Sequence, residues 1–480
     1  MHQILVPEIR HNDRVIRGSK TYDTSRWVSW KIDATINPNR PQIGFEGEWF
    51  VIDKEGAVMI YSDNTFIPIT EVQSIRANSE NARSEQNLNR DIAMHSQGGV
   101  FFEEKARMTQ ELYLPCIEFS FDKGYGAKGL FKNIIGAYSE LSSYLGDKWL
   151  LYLPSGNMPI GTKNYPNLAN EYYKYLFEMR DGYDIAYFRW AGFQLHKEMD
   201  NYELAVYTYN KIRHLLPMFL VLSENSPFSN NEYHWNLSER ISTKCDWKMT
   251  GIPESIDDNF LSDLQRWLHS TIKSVTPYYF AVRYPRVDIH TIENCAMDTI
   301  SDIPLMCALI DLYYRLTEKL KITFVEWKAL PQDIFWVDDG SWIETHVIRE
   351  NYHRSIRYGT DVQYAILWKE ETRFKEYMEN IYRFIEDIPS IFPDSVSQAF
   401  WYVGVDATEK VIGEILSQGN LAERTLREFW IEKKMPMNPI DITEQELRKY
   451  MVHMSENFRS QVTSLINHPS HENNLSHCCV

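Results

Sequence analysis

A chain of 480 residues with 44% hydrophobic and 14% aromatic content can build a large core, which excludes an intrinsically disordered protein. Its net charge of -16 argues against non-specific nucleic-acid binding, so no nucleic-acid partner is expected. No stretch reaches the ~20 uninterrupted apolar residues of a membrane span, so no membrane partner is expected either.

The N-terminus, Met1-His2-Gln3-Ile4-Leu5, lacks the long apolar core of a secretory signal. The six cysteines show no C-x-x-C spacing, so neither structural zinc nor a disulfide framework is expected, and a reduced, cytoplasmic setting fits. Residues 1–40 read as an extended lead-in. The run from Ile43 to Asp53 then alternates apolar and polar residues, as a half-buried strand does. Glu46 and Glu48 are two apart and so share one face. Two carboxylates on one face repel unless a proton or cation lies between them, and a hard ion such as Mg²⁺ takes oxygen ligands of this kind.

Residues 74–99 are polar and read as a long loop. A second strand, Leu112 to Phe121, carries Glu118, with Glu111 just ahead of it. Lys128 to Leu145 has apolar residues at helical spacing. Trp190 to His196 reads as a third strand with Gln194 and His196 on one face. Tyr202 to Leu222 is helical and ends in a core segment. Tyr284 to Ile292 reads as a fourth strand, with Asp288 and His290 on one face. Asp302 to Leu320 reads as a buried helix. Arg373 to Asn467 is mostly helical, with breaks at Pro389, Pro393 and Gly419-Asn420 and a final helix from Glu444 to Leu465; His468 to Val480 is a polar tail. Strands with interleaved helices, then a helical last third, define an α+β protein with an antiparallel sheet. Residues 41–370 form its main domain and 371–467 a helical region of the same unit. Four strands with ligand-type side chains on one face point to a sheet whose concave face holds a metal and phosphate site.

Several motifs in order carry a family resemblance. They include Gly44-Phe45-Glu46-Gly47-Glu48-Trp49, Gln110-Glu111-Leu112, Gly192-Phe193-Gln194-Leu195-His196, Ser223-Glu224-Asn225-Ser226-Pro227-Phe228, the strand from Arg283 to His290, and Glu350-Asn351-Tyr352-His353-Arg354. From about Gly44 to about Leu426 the chain resembles the ATP-dependent carboxylate–amine ligases related to the type 2 glutamate–cysteine ligases. The resemblance implies a glutamine-synthetase-like catalytic fold, with helices on the outer face of the sheet. It also implies formation of an amide, of γ-glutamyl type, through an acyl phosphate. The cofactors would be ATP and Mg²⁺, with Mn²⁺ as the alternative ion. The partners would be a small carboxylic acid and an amine, amino acids foremost, in a chain whose base expectation is a homodimer.

By the same resemblance Glu48, Glu111 and Glu118 would hold one ion. Glu46, Gln194 and Asp288 would hold a second, with Gln and Asp standing where the family pattern has His and Glu. His290 would stand at the phosphate-contacting arginine of the pattern R-P…[TV]-[VI]-E-x-R, with Arg283 or Arg286 as substitutes. Arg240 and Arg354 read as clamps for anionic groups on substrate or nucleotide. His196 reads either as a substrate contact or as a buried histidine satisfied by backbone, and Asn225 and Ser226 either as substrate contacts or as a helix cap. Cys116 and Cys295 lie near these strands without a His/Asp partner at nucleophile spacing. The departures at 194, 288 and 290 keep two alternatives open: altered chemistry on an unusual or pre-activated carboxylate, or a degenerate binding protein.

Overall fold

The computed structural model describes residues 36–37, 41–62, 65–68, 106–111, 113–121, 127–161, 189–245, 252–253, 255, 281–286, 291–335, 342–367, 370–391, 407–429 and 440–466, with short strands between 3 and 23. The 74–99 loop, the 468–480 tail, Asp288 and His290 lie outside these residues. The N-terminal stretch contains two small antiparallel ribbons. In them β1 (Gln3–Ile4) pairs with β4 (Tyr22–Asp23), and β2 (Ile9–His11) with β3 (Arg14–Ile16).

A nine-stranded antiparallel sheet organises the rest. Its hub is β5 (Ile43–Asp53), which pairs along its length with four neighbours. These are β6 (Val58–Ser62), β9 (Cys116–Phe121), β10 (Leu150–Leu153) and β11 (Gly192–Glu198). Next to β6 lies β7 (Thr65–Pro68), and next to β9 lies β8 (Ala106–Gln110). Beyond β11 come β15 (Thr291–Asp298) and then β14 (Val282–Arg286). The stretch read as one strand from Tyr284 to Ile292 is therefore two strands of a hairpin. Pairing of Arg286 with Thr291, and a register shift between Arg283 and Arg286, interrupt it.

Side chains alternate across this sheet, so each face has its own chemistry. The odd positions of β5, with Ile43, Phe45, Trp49 and Val51, enter the main core. Three helices cover that face: α1 (Ala127–Asp147), α2 (Tyr202–Ser223) and α4 (Ile303–Val325), each an element with apolar residues at helical spacing. Between α2 and α4 the short α3 (Glu239–Cys245) follows the β12–β13 ribbon (Phe228–Ser229 with Glu232–Tyr233). Asn201 caps α2 by accepting the Leu204 N–H at 2.8 Å, and Asp302 caps α4 by accepting that of Leu305, also at 2.8 Å. Trp49 is fully buried, edge-on to Phe119 and Tyr138 at 5.4 and 5.1 Å. Its indole folds back over Gly47, where a Cβ would come within 2.7 Å of the ring, so only glycine fits there.

The even face of β5 is split. Phe50 and Ile52 join a second apolar cluster with Val58, Ile60, Leu151 and Leu153. The C-terminal part of the chain covers this end. After α5 (Trp342–Tyr358), the β16–β17 hairpin (Gln363–Leu367 with Glu370–Arg373) and α6 (Phe374–Ile385) come α7 (Ala407–Gln418) and α8 (Leu421–Glu428). Strand β18 (Ile440–Asp441) and α9 (Glu444–Ile466) complete the chain. Ala422, Leu426, Leu447 and Met451 pack in the second cluster, while Phe458 and Val462 of α9 reach into the main core. Helices thus lie on the outer face and also over the apolar end of the inner one. The other end of the inner face carries Glu46 and Glu48.

Glu140 of α1 is half-buried, and its Oε2 has no hydrogen-bond partner. Burial pushes its carboxyl up to about 7. The folded state therefore prefers the protonated acid, and ionisation penalises folding as pH rises from the unfolded value near 4.5 to about 7. Glu140→Gln is expected to stabilise the fold at pH 8 by on the order of 1 kcal/mol, after allowance for solvent screening, and by nothing at pH 4. Thermal melting of both proteins across that range checks it; an equal gain at both ends would refute the assignment.

Candidate active site

The first cluster comprises Glu48, Glu111 and Glu118, whose carboxylate oxygens all lie within 4.8 Å of one another. Register explains it. Glu48 lies directly opposite Glu118 across the β5–β9 ladder. Glu111 is returned to the end of β9 by its N–H bond to the Cys116 carbonyl at 3.0 Å, closing a tight turn with the Cys116 N–H on Tyr113 O at 2.8 Å. Like charges directly opposite in a sheet are destabilising. Burial, and then the Glu111 and Glu46 carboxylates, push the Glu118 carboxyl well above its usual range. Donors fix the oxygens: Ser120 Oγ on Glu118 at 2.7 Å, and the Gly192 N–H and Gln194 Nε2 on Glu48 at 2.5 and 2.9 Å. Three crowded carboxylates at the edge of a sheet face fit a hard divalent cation, which removes the repulsion.

The second cluster comprises Glu46, His196 and Glu293, again with ligand atoms within 4.8 Å. His196 Nε2 lies 3.4 Å from Glu46 Oε1 and 3.9 Å from Glu293 Oε1. This buried nitrogen makes no hydrogen bond. Burial disfavours the imidazolium, but Glu293 and Glu46 outweigh it and hold His196 above its usual value. An unbonded imidazole nitrogen between two carboxylates also fits a cation, bound in competition with the proton. Arg283 closes this corner. Its guanidinium contacts Glu293 at 2.8 Å and donates to Gln194 Oε1 at 3.3 Å.

The sequence-derived candidates distribute as follows. Glu46, Glu48, Glu111, Glu118, His196 and Arg283 converge on this face. Gln194 also faces it, with its amide bridging Glu48 and Arg283, while His196 is the residue whose ring nitrogen groups with Glu46 and Glu293. The reason is steric. Gln194 lies opposite Glu46, whereas His196 lies opposite Gly44, and the missing side chain leaves room for the ring to lean toward Glu46. Asp288 and His290 lie outside the described residues. Glu293, overlooked as a candidate, supplies the late carboxylate. The signal was present, since Thr291-Ile292-Glu293-Asn294-Cys295 follows [TV]-[VI]-E-x-R one residue for one, with Cys295 at the arginine position.

Four candidates make other contacts. Arg240 is buried and donates to the carbonyls of Met297 at 2.8 Å and Cys295 at 3.3 Å. It fills the space over Gly192, where any Cβ would overlap its guanidinium. Gly192→Ala is therefore expected to cost about 1–3 kcal/mol by overpacking, read as a lowered urea midpoint; an unchanged midpoint would show that Arg240 can move aside. Asn225 and Ser226 tie the end of α2 to β15. Asn225 Nδ2 donates to Pro154 O and Thr299 O at 2.7 and 2.9 Å. The Asn225 N–H and the Ser226 hydroxyl donate to Asp298 Oδ2 at 3.0 and 2.6 Å. Arg354 sits on α5 in ion pairs with Glu350 at 2.9 Å and Glu371 at 2.6 Å, and none of these groups belongs to the sheet.

The nine-stranded antiparallel sheet thus carries two ligand clusters, each with one member on β5. The chain superimposes on the glutamate–cysteine ligase of Francisella tularensis solved in complex with AMP, with a TM-score of 0.53 at 11% identity, covering 89% of each chain. It also superimposes on a bifunctional glutathione synthetase from Pasteurella multocida, with a TM-score of 0.54 at 11% identity, over 88% of this chain and 52% of that one. Residues 42–293 match the sequence profile of glutamate-cysteine ligase family 2, and the chain belongs to that family.

Curated relatives are distant. A glutamate–cysteine ligase of Haloquadratum walsbyi is 24% identical over 185 residues, 38% of this chain and 48% of that protein. A Sorangium cellulosum protein that carries the name "putative glutamate–cysteine ligase 2" is 23% identical over 266 residues, 53% of this chain and 63% of that protein. The chain thus spans about half the length of the curated relatives it matches. Among the described residues no helix is long and apolar enough to cross a membrane.

Proposed function

We propose that the protein is an ATP-dependent carboxylate–amine ligase of γ-glutamyl type, working on amino-acid substrates through an acyl phosphate. The observation that carries this reading is the adjacency of the two ligand clusters, hung from Glu46 and Glu48 of one strand. Glu48, Glu111 and Glu118 would hold one Mg²⁺, and Glu46, His196 and Glu293 a second ion. When bound, such ions neutralise the nucleotide phosphates and the negative charge that develops in phosphoryl transfer. The protein's own groups do the rest. The Gly192 N–H and Gln194 orient Glu48. Arg283, held by Glu293 and Gln194 with 21% of its side chain exposed, offers a guanidinium to the transferred phosphoryl group. The carboxylate of one substrate takes the phosphoryl group from ATP, ADP departs, and the amine of the other displaces phosphate to leave the amide.

The test is ADP release by the full chain with ATP, Mg²⁺, glutamate and a panel of amines, with hydroxylamine to trap an acyl phosphate as the hydroxamate. ADP formation that needs Mg²⁺ and both substrates supports the reading. ATP binding without ADP release for every acid–amine pair would overturn it. Cys295 and Gln194 stand where the family pattern has arginine and histidine, which favours an acid other than glutamate as the second reading; the same panel, with varied acids, separates the two.

A further inference from the structure

We propose that Asn294 is a positioning residue of the candidate active site: its side chain builds a β-bulge at Cys295–Ala296, and the groups set by that bulge hold Glu48 in place. The inference rests on the reading of Glu48 as a metal ligand and adds which residue, on the opposite face of the sheet, fixes that ligand's geometry.

The register places the bulge. Leu195 of β11 pairs with Asn294 of β15 and Phe193 pairs with Met297, so Gln194 alone faces two residues, Cys295 and Ala296. An extra residue in one strand disrupts the ladder and leaves a backbone group that needs another partner. Asn294 supplies one, because its Oδ1 accepts the Ala296 N–H at 3.0 Å. Asn294 is itself fully buried, opposite Leu195 and Val282 of the main core, and its Nδ2 has no hydrogen-bond partner. A buried NH₂ without a partner destabilises the fold, and a leucine of similar size would suit that core better. What asparagine supplies there is the acceptor. The extra residue also switches the parity of the strand. Glu293 and Asp298 are five residues apart, so in a regular strand they would point to opposite faces. Here Glu293 lies opposite His196 and Asp298 opposite Gly192, both on the inner side, while Ala296 and Met297 enter the main core.

Three groups placed by the bulge converge on Glu48. The Cys295 thiol donates to Gln194 Oε1 at 3.6 Å. Together with the Arg283 guanidinium on the same oxygen at 3.3 Å, it turns the amide so that Nε2 donates to Glu48 Oε1 at 2.9 Å. The carbonyls of Cys295 and Met297, on either side of Ala296, accept from Arg240 at 3.3 and 2.8 Å. Arg240 in turn lies over Gly192, whose N–H donates to Glu48 Oε2. Thr299, one residue beyond Asp298, donates its hydroxyl to the Glu48 carbonyl at 2.6 Å. Both carboxylate oxygens of Glu48 and its backbone therefore depend on donors whose places the bulge sets.

The test titrates Mn²⁺ as the probe on the full chain, counting the free ion by its paramagnetic resonance, beside steady-state ADP release. Glu48→Gln marks the ion held by the first cluster. Asn294→Leu keeps the size and removes the acceptor; it should fold, weaken that same ion roughly 10-fold or more, and lower kcat with it. Asn294→Asp keeps an acceptor oxygen at the same place and should restore most of the affinity. Leu309→Ala, at a buried core position of α4, loosens the fold without altering the bulge and should leave Mn²⁺ affinity unchanged. Melting curves confirm that each variant is folded. If the leucine form is not, Asn294→Ser is the second variant, and its shorter hydroxyl should give an intermediate loss. Wild-type Mn²⁺ affinity in folded Asn294→Leu, or in Asn294→Ser where it takes that place, would overturn the inference. So would no recovery in Asn294→Asp, or an equal loss in Leu309→Ala. The readings beneath it fail separately. A Glu48→Gln protein that binds Mn²⁺ as the wild type does removes Glu48 as a ligand, and the inference with it. Mn²⁺ affinity that follows the acceptor at 294, with no ADP release from any of the proteins, sinks the ligase and leaves the positioning role standing.

Discussion

Glu48→Gln is expected to lower ligation by at least roughly a hundredfold, the scale of losing one group that stabilises transition-state charge. Its carboxylate lies opposite Glu118 and beside Glu111, so it contributes the central charge of the first cluster. A glutamine keeps the shape and one acceptor oxygen but not that charge. The fold should not suffer. Without metal, removing one of three mutually repelling carboxylates relieves strain, and the melting temperature should stay level or rise. Adding Mg²⁺ should stabilise the wild type and leave the variant unmoved. Steady-state ADP release and melting with and without Mg²⁺ check both parts. A variant that keeps its activity, or gains the same stability from Mg²⁺, would remove Glu48 from the site.

Asp298→Ala carries the largest expected effect on stability, about 3–5 kcal/mol, because it removes one member of a buried, charge-bearing network. Asp298 is fully buried at the end of β15 and accepts from the Asn225 N–H and from the hydroxyls of Ser226 and Ser238, the last at 2.8 Å. Burial raises its carboxyl, while Arg240 and these donors pull it back down. Alanine would strand three donors and leave the Arg240 charge with less compensation. Asp298→Asn keeps the size but turns an NH₂ toward donors, so a smaller loss is expected. Urea unfolding of the three proteins measures it. If alanine costs under about 1 kcal/mol, water fills the gap and the network does not hold the α2 end to β15.

The sequence made the hub strand and the long helices legible because each has one clean period. The first half of Ile43–Asp53 alternates, and Tyr202–Ser223, Ile303–Val325 and Glu444–Ile466 each carry apolar residues at helical spacing over more than five turns. The β14–β15 hairpin was not legible for the opposite reason. All eight residues of β15 are buried, polar and apolar alike, so Thr291-Ile292-Glu293-Asn294-Cys295 shows no alternation, and the apparent period ran through the Arg286–Thr291 connection instead. Gln194 and His196 share a face, and only their register against Glu46 and Gly44 decides which of them meets Glu46 and Glu293. Register is a property of two strands and cannot be read from one. Arg240 and Asn225 carry the same ambiguity: a polar side chain looks alike in sequence whether it meets a ligand or a backbone carbonyl.

The shared strand acts as a ruler. Glu46 and Glu48 are consecutive residues on one side of a pleated backbone, so the two clusters stand roughly 6–7 Å apart along the strand by virtue of the pleat itself. Side-chain substitutions can change what each position binds, but they cannot change that spacing. A single inserted residue between 46 and 48 would turn one carboxylate into the Trp49 core and leave the other alone on the inner face. The gap between the two clusters is therefore inherited from backbone geometry, and evolution on this scaffold is confined to changing the side chains at either end of a fixed interval.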